Sequence, residues 1–545
     1  MAQLSVAAAI AAVVVFMTVF VTKLLANRQH VRKLQAAKAP MPEFHPVFGH
    51  FIALRECMKV LPRNVTMHVM VREIAKRFPN GIFYLNLWPF NKTLMIVANP
   101  VAAAQVETAF LDKPSAMTDT MEIINGGPSL MTMHGDVWKK WRGLFNPGFA
   151  SGYVTGLAPA IADEVAVLCQ LLHDQAKKGE IFQLEEYTLR LTFDVISRVT
   201  FGGRLHYQTQ GSVLADSLRR QVYWTPYATT FNPFRRWLSP RPLVQKYNSY
   251  CIDRYLDNEI DNRFEEIALS RQDPTTKSQS RSIISLVMDQ YLKDLGDTGE
   301  LSKKAFKKLV IPQLRMFLYA GHDTTSSTLL YCYHLLSKHP DVHAKVRDEH
   351  DKVFGPDFSI DHCHQVIKKD PTLLNQIPYT LAVIKEVLRL YPPAASLREG
   401  RPGLFLSDEE GEQYPTEDCY IWTLNLVMHH SPNVFVNAKE FIPDRWLVEP
   451  QDPLHPKKGS WRAFEWGPRA CIGQTLALLE LKVGLVMTVR MFDIVPAYDE
   501  WNKLYPKKGI TTVEGDYMYQ AEMGGGGAHP VDGFPVRVAL RNSEK

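Results

Sequence analysis

The chain lacks paired cysteines, internal repeats, nucleotide-binding loops and any large excess of charge, and each absence narrows what it can be. Its seven cysteines, at positions 57, 169, 251, 332, 363, 419 and 471, lie far apart, form no CxxC or CxxCH and are odd in number. That argues against a disulfide framework and for reduced thiols in a cytosolic compartment. No dinucleotide-binding glycine fingerprint occurs. The one low-complexity run, the glycines at 524–527, lacks the Lys-Ser/Thr of a phosphate loop and reads as a tip between two C-terminal strands. A formal net charge of +5 over 545 residues gives no reason to expect nucleic acid as a partner. What the chain does have is apolar mass. With 46% apolar, 22% charged and 11% aromatic residues it is a globular protein with a sizeable core, and length alone does not fix the number of domains.

The N-terminus is short of charge too. Residues 6–21 hold only Ala, Val, Ile, Phe and Met apart from Thr18, and Leu24 and Leu25 follow Lys23. An apolar helix of about 20 residues crosses a bilayer. No Lys or Arg precedes this segment, whereas Lys23, Arg28, Arg32, Lys33 and Lys38 follow its apolar run. It therefore reads as a retained single-pass anchor over residues 4–25 rather than a cleaved signal, with the body on the cytosolic side. Residues 26–46 form a basic, proline-rich connector. Within it, Lys38-Ala-Pro-Met-Pro-Glu-Phe-His-Pro46 is expected to be extended, because proline fixes φ and removes an amide donor. The folded body takes 47–545.

Two stretches rich in β-branched and apolar residues, 82–87 and 93–97, read as strands of a small sheet, and strand signals are sparse elsewhere. Helical periodicity dominates. Ile161, Val165, Leu168, Leu171 and Leu172 recur at helical spacing, with a stop at Gly179 after Lys177 and Lys178, and a second helix covers 189–199. Residues 312–338 are largely apolar and end at His339-Pro340, so they read as one helix of about 40 Å through the interior. Pro312 suits its first turn, while a start at Ser302 would place a kink there; the sequence leaves both open.

Chemistry concentrates at the last cysteine. Phe464-Glu-Trp-Gly467-Pro-Arg469-Ala-Cys471-Ile-Gly473 is a loop feeding an apolar, helix-like stretch that starts at Gln474. Gly467 and Gly473 let the backbone come close to a planar ligand, and free amides at a helix N-terminus stabilise a thiolate. A lone cysteine before a helix is most often an inert buried thiol. The flanking residues argue otherwise, because they resemble the haem-binding loop of the cytochrome P450 family: an aromatic residue, a glycine, a basic residue, the cysteine and a second glycine at these spacings. The loop departs from that pattern at Glu465, where the family usually has a small or weakly polar residue. Its form, FExGPRxCIGQ, resembles that of fungal members.

Further motifs follow in the family's order. Glu386-Val-Leu-Arg389, then Tyr391-Pro392-Pro393, is similar to the family's Glu-x-x-Arg. The spacing puts both charges on one helix face. Arg445, in Phe441-Ile-Pro443-Asp-Arg445-Trp446, supplies the arginine that closes this group, whose implied role is structural. Ala320-Gly321-His322-Asp323-Thr324-Thr325 resembles the oxygen-activation motif: Gly321 leaves room for a diatomic, and an acid and a hydroxyl within an apolar helix call for a function. Taken alone, Thr324 is a helix threonine bonded to its own backbone. His322 reads as packing or solvent contact. Trp138-Lys-Lys-Trp141-Arg142 resembles the Trp-x-x-x-Arg pattern that reaches a haem propionate, with Arg398 and Arg469 implied for the other propionate. Asp361-His362-Cys363-His364 looks like a metal cluster, but four adjacent residues cannot converge on one ion without distortion.

The resemblance implies a mainly α fold, that of the cytochrome P450 family, with a small β-rich lobe and the N-terminal transmembrane helix. It implies haem b with Cys471 as axial iron ligand, Asp323 and Thr324 as catalytic proton carriers, and Trp138, Arg142, Arg398, Phe464, Gly467, Arg469, Cys471 and Gly473 as cofactor-binding residues. The implied reaction is insertion of one oxygen atom from O2 into an apolar small molecule. Electrons would come from an NADPH-dependent cytochrome reductase, with cytochrome b5 as a further donor, and Lys139, Lys140, Lys457 and Lys458 form a candidate docking patch. The pocket is expected from 116–131, 316–320, 394–397 and 517–521. The implied location is the endoplasmic reticulum membrane. The Cys471 loop and the tail Ala528-His-Pro-Val-Asp-Gly-Phe-Pro-Val-Arg537 look like fungal secondary-metabolism members. Two rivals remain: an oxygen-independent haem-thiolate isomerase or dehydratase, which tends to lose the acid and threonine, and a non-enzymatic membrane haem protein.

Overall fold

The computed structural model describes residues 2–109, 112–225, 239–272, 282–295, 299–521 and 528–541. The apolar N-terminus forms α1 (Ala2–Ala36), and from Ile10 onward this helix is long and apolar enough to cross a membrane. No residue of its most apolar window is buried in the rest of the protein. No glycine or proline interrupts residues 26–36, so the helix runs past Leu25, and only 37–46 of the expected connector is non-helical. The end of α1 already belongs to the folded body. Val31 and Leu34 are buried, and Arg28 donates to Pro46 O at 2.6 Å, Val47 O at 2.7 Å and Asn86 Oδ1 at 2.9 Å. The same guanidinium lies over the rings of Phe44 and Trp88.

Strands form where the two stretches predict them, as β1 (Ile82–Leu85) and β2 (Thr93–Val97), paired antiparallel. The expectation of few others is corrected. Among the others are β3 (Phe182–Gln183), β4 (Ser396–Glu399), β5 (Cys419–Thr423), β6 (Phe492–Pro496), β7 (Gln520–Ala521), β8 (His529–Pro530) and β9 (Pro535–Leu540). The first sheet has the order β1-β2-β5-β4, with β2 and β5 parallel, and β9 lies between β3 and β6 in another. These strands span two to six residues. The pair β7 and β8 is antiparallel, and the glycines at 524–527 between them lie outside the described residues.

The helices that build the site are α2 (Pro100–Thr108), α3 (Gly135–Phe145), α4 (Ala158–Lys178), α5 (Leu184–Phe201), α6 (Val213–Tyr223), α7 (Gly299–Lys338), α8 (Pro378–Leu390) and α9 (Gln474–Val489). α4 stops at Gly179, whose φ of 62° is left-handed, as the sequence predicts. α5 starts well before 189, with Glu185 and Glu186 in its first turn, where negative charge complements the helix dipole. α7 decides the alternative left open at Pro312: the helix has 40 residues, about 60 Å at 1.5 Å per residue, and the proline is inside it. Side-chain bonds brace that stretch. Gln313 accepts from Leu130 N at 2.8 Å and donates to Pro128 O at 3.0 Å, while buried Arg315 donates to Ile124 O at 3.0 Å and Asp253 at 2.8 Å. One hydrophobic core runs through helices and sheets alike, from Leu34 to Val538.

Candidate active site

The Cys471 loop is a folded-back turn held by its own backbone. Cys471 N donates to Phe464 O at 2.9 Å and Ala470 N to Gly467 O at 3.0 Å, with Gly467 at a φ of 79° that favours glycine. The departure at Glu465 has a physical reason. Glu465 also adopts a left-handed φ, 57°, and its carboxylate turns inward to accept from Arg462 Nη2 at 2.9 Å and from Thr423 Oγ1 at 3.1 Å. It thus pairs a fully buried arginine that a small residue would leave without this partner.

Gly473 is the N-cap of α9, so Cys471 stands just before the free amides of a helix. It alone among the seven cysteines is exposed. Burial nevertheless pushes its thiol pKa up, against the opposing pull of the Gly473 amide, Arg142 and the Gln474 amide. The thiol is thus reachable yet crowded by protein.

A second accessible patch lies within α7. Between Pro312 and Leu336 every residue is buried except Tyr319, Ala320, Gly321 and Thr324. Thr324 Oγ1 donates to Ala320 O at 2.9 Å, the backbone bond expected of a helix threonine. Asp323 is buried, with Oδ1 3.0 Å from Nε2 of His529. His322 is packed, as predicted: its Nδ1 lies 2.7 Å from Leu318 O and its ring meets Phe193 edge-on. The reading of Gly321 is corrected. A Cβ there would sit 2.7 Å from Ile196 Cγ1 of α5, so the missing side chain makes room for a neighbouring helix rather than for a diatomic.

The sequence-predicted cations come together near the loop, with partners the sequence did not show. Arg469 stacks 4.1 Å from the centre of the Trp138 ring and donates to Met133 O at 2.9 Å. Arg142 donates to Asn146 Oδ1 at 3.0 Å. Arg398, on β4, is buried against Ser396 and against Glu107 of α2 at 3.3 Å. Arg462 lies 3.6 Å from the same Glu107. Burial, with Arg398 adding to it, lowers Lys113 to about 7 and Arg469 to about 10, and burial lowers Arg142 as well. Glu107 is itself pushed up by burial. Buried Arg462 Nη1 has no hydrogen-bond partner. These cations are under-neutralised by Glu107 and Glu465, and an anionic group such as a pair of propionates fits them.

The Glu386 group is closed as expected. Arg389 donates to Glu386 at 2.8 and 3.0 Å and Arg445 at 3.0 Å, all within the core, and half-buried Trp446 Nε1 donates to it at 3.0 Å. The side chains around 361–364 diverge: His362 meets Phe354 O, Cys363 meets Arg490, and His364 meets Asp163. Lys139, Lys140, Lys457 and Lys458 are exposed, with Lys139 paired to Asp136 at 3.1 Å. Of the expected pocket stretches, Met117, Met131, Tyr319, Leu397 and Tyr517 are half-buried and apolar, whereas residues 518–521 are buried.

Residues 39–521 match the family model for Cytochrome P450. The chain is similar to the cytochrome P450 monooxygenase polC of Polytolypa hystricis, at 34% identity over 96% of this chain and 93% of that one. It is also similar to the cytochrome P450 monooxygenase acrF of Aspergillus aculeatus, at 31% identity over 88% of this chain and 98% of that one. Among solved structures, the crystal structure of a cytochrome P450, CYP102L1, matches with a TM-score of 0.69 at 20% identity, over 92% of this chain and 99% of that one. A mainly helical fold, a cysteine at the N-terminus of an apolar helix and a family match over most of the chain agree: the protein belongs to the cytochrome P450 family and is a monooxygenase.

Proposed function

We propose that the chain inserts one oxygen atom from O2 into an apolar small molecule, using haem b held against Cys471. The observation that carries this reading is Cys471 itself: the one exposed thiol, at a helix N-terminus, beside cations short of negative charge. Haem bound by a thiolate supplies O–O cleavage and oxygen-atom transfer. Cys471 Sγ would be the iron ligand, with the Gly473 and Gln474 amides and Arg142 favouring its thiolate against the burial that pushes the thiol up. Phe464, Gly467 and Gly473 would flank the ring, and Trp138, Arg142, Arg398 and Arg469, joined by Lys113 and Arg462, would hold the propionates. Thr324 gives its own proton to Ala320 O and so keeps its lone pairs for a donor at the open face of α7. Asp323, one residue away, would supply that proton.

Electrons would reach the site from an NADPH-dependent reductase, with cytochrome b5 as a further donor, docking on the exposed Lys139, Lys140, Lys457 and Lys458. α1 supports a single-pass anchor in the endoplasmic reticulum membrane, with the basic residues after its apolar run on the cytosolic side. Likeness to polC and acrF supports a place in fungal secondary metabolism. In full-length protein, Cys471→Ser should lose the ferrous carbon monoxide spectrum of a thiolate-ligated haem, because a hydroxyl stays protonated at neutral pH; an unchanged spectrum overturns the reading. Thr324→Ala should still bind haem and consume NADPH but release the electrons as hydrogen peroxide. If Thr324 serves only its helix, the variant will turn over normally.

A further inference from the structure

Beside the open face of α7 lies a buried acid–base chain. Asp323 Oδ1 is 3.0 Å from Nε2 of His529, and Nδ1 of the same imidazole is 2.7 Å from Glu185 Oε1. The three residues come from α7, β8 and the first turn of α5, and all are buried. They line one cavity of about 590 Å³, whose wall also carries the exposed Gln183, Arg220 and Tyr223, so solvent can enter it. Burying three ionisable groups beside water is a poor way to stabilise a fold, because packed apolar residues serve as well or better. The arrangement asks for another purpose.

We infer that His529, held by Glu185, passes solvent protons from this cavity to Asp323 and so feeds the Asp323–Thr324 pair, an inference that rests on the proton-delivery reading of that pair. The imidazolium gives its Nε2 proton to Asp323 Oδ1 and is left neutral, with its hydrogen on Nδ1. Water in the cavity reprotonates Nε2. Glu185 accepts from Nδ1–H throughout, which fixes the tautomer and favours the recharged ring, so Glu185 is a positioning residue.

The surroundings set where the proton rests in this cycle, on His529. Burial opposes charge on His529, yet Asp323 and Glu185 outweigh it and hold its pKa well above the usual histidine value. Burial also opposes charge on Asp323, and His529 holds it below the usual carboxylate range. The other groups on the cavity wall leave the pair intact. His322 of α7 is pushed down by burial and stays neutral, Arg219 of α6 is tied to Glu186 at 2.7 Å, and Asp216 accepts from Tyr207 at 2.8 Å. The resting state is an ion triad recharged from solvent.

The test uses full-length, haem-loaded protein with NADPH and its reductase and no organic substrate. It reads the fraction of consumed O2 released as hydrogen peroxide rather than water, against pH, alongside 15N spectra of ring-labelled histidine. In wild type the His529 signal, identified by its loss in His529→Gln, should be that of a doubly protonated ring across the neutral range. His529→Gln should lower the water-forming rate at least about 10-fold. Glu185→Gln should make the ring titrate within the neutral range, with peroxide rising in step as pH rises, and Glu185→Asp should restore the wild-type profile. If Asp323→Asn raises peroxide while His529→Gln and Glu185→Gln change neither its amount nor its pH profile, the relay is overturned and the Asp323–Thr324 reading stands. If Asp323→Asn also changes nothing, that underlying reading fails. A neutral His529 ring in wild type at neutral pH overturns the relay by itself. Should His529→Gln fail to take up haem, the pH profile of Glu185→Gln decides.

Discussion

Two buried arginine groups in this protein differ in one respect, saturation. Arg389 has all its N–H donors engaged, by both oxygens of Glu386 and by the carbonyls of His429, Ala438 and Glu440. Arg445 adds Glu386 and Val436 O. Around the Cys471 loop the balance is different: Arg462, fully buried, keeps an unpartnered Nη1. A saturated cluster is finished architecture. An unsaturated one is incomplete until an anion joins it, and the contrast separates structural from ligand-binding arginines without reference to any motif.

The contrast breaks most readily at Glu386. Glu386→Ala strands two guanidiniums in the core and should cost roughly 3–5 kcal/mol of folding stability, with little haem-containing protein recovered. Denaturant unfolding measures this, and a loss under about 1 kcal/mol would mean that saturation does not mark a structural cluster. Arg469→Ala should do the reverse. The haem-free chain should unfold much as wild type does, while loss of a charge-assisted bond worth about 1.5–3 kcal/mol speeds haem transfer to an apo-globin acceptor about 10- to 100-fold. Equal damage to both states would put Arg469 with the architecture.

A third effect, read against pH, belongs to Lys113. Its folded pKa, about 7, lies below the ordinary lysine value, so above about 7 the unfolded chain binds the proton that the folded chain has released. Stability of the haem-free protein relative to Lys113→Met should therefore rise with pH from about 7 toward the ordinary lysine pKa. Bound propionates would restore the ammonium and flatten that rise in the haem-loaded protein. A flat difference in both states would show that Lys113 does not face the anion site.

Much of the site is legible in the sequence because the family's motifs are local. The Cys471 loop, Glu386 with Arg389, and Trp138 with Arg142 each sit within a few residues of one another, where helix or turn geometry fixes their relation. Long-range partners are not legible. Glu107 reads as an ordinary helix carboxylate, yet it meets Arg398 across 291 positions, and His529 meets Glu185 across 344. Gly321 was misread for the same reason, since nothing near it in the sequence announces Ile196. β7 and β8 are the two strands expected on either side of the 524–527 glycines, whereas β4, β5, β6 and β9 escaped recognition. Glu465 is the instructive case between these extremes. Its departure from the motif is visible in the sequence, and its cause, a buried Arg462 three positions earlier, is clear once the loop folds back.

The grip of Arg28 on residues 44–47, Asn86 and Trp88 makes α1 a mast rather than a tether. Phe20 of the apolar stretch also touches Trp88, at 4.9 Å between ring centres. Tilting the helix must therefore tilt the domain. With the apolar stretch inserted in a bilayer as proposed, the thickness of the hydrocarbon layer would set not only how deep the protein sits but which way its substrate entrance points. Lipid composition then becomes a control on which molecules, dissolved in the membrane or in the water beside it, meet the enzyme first.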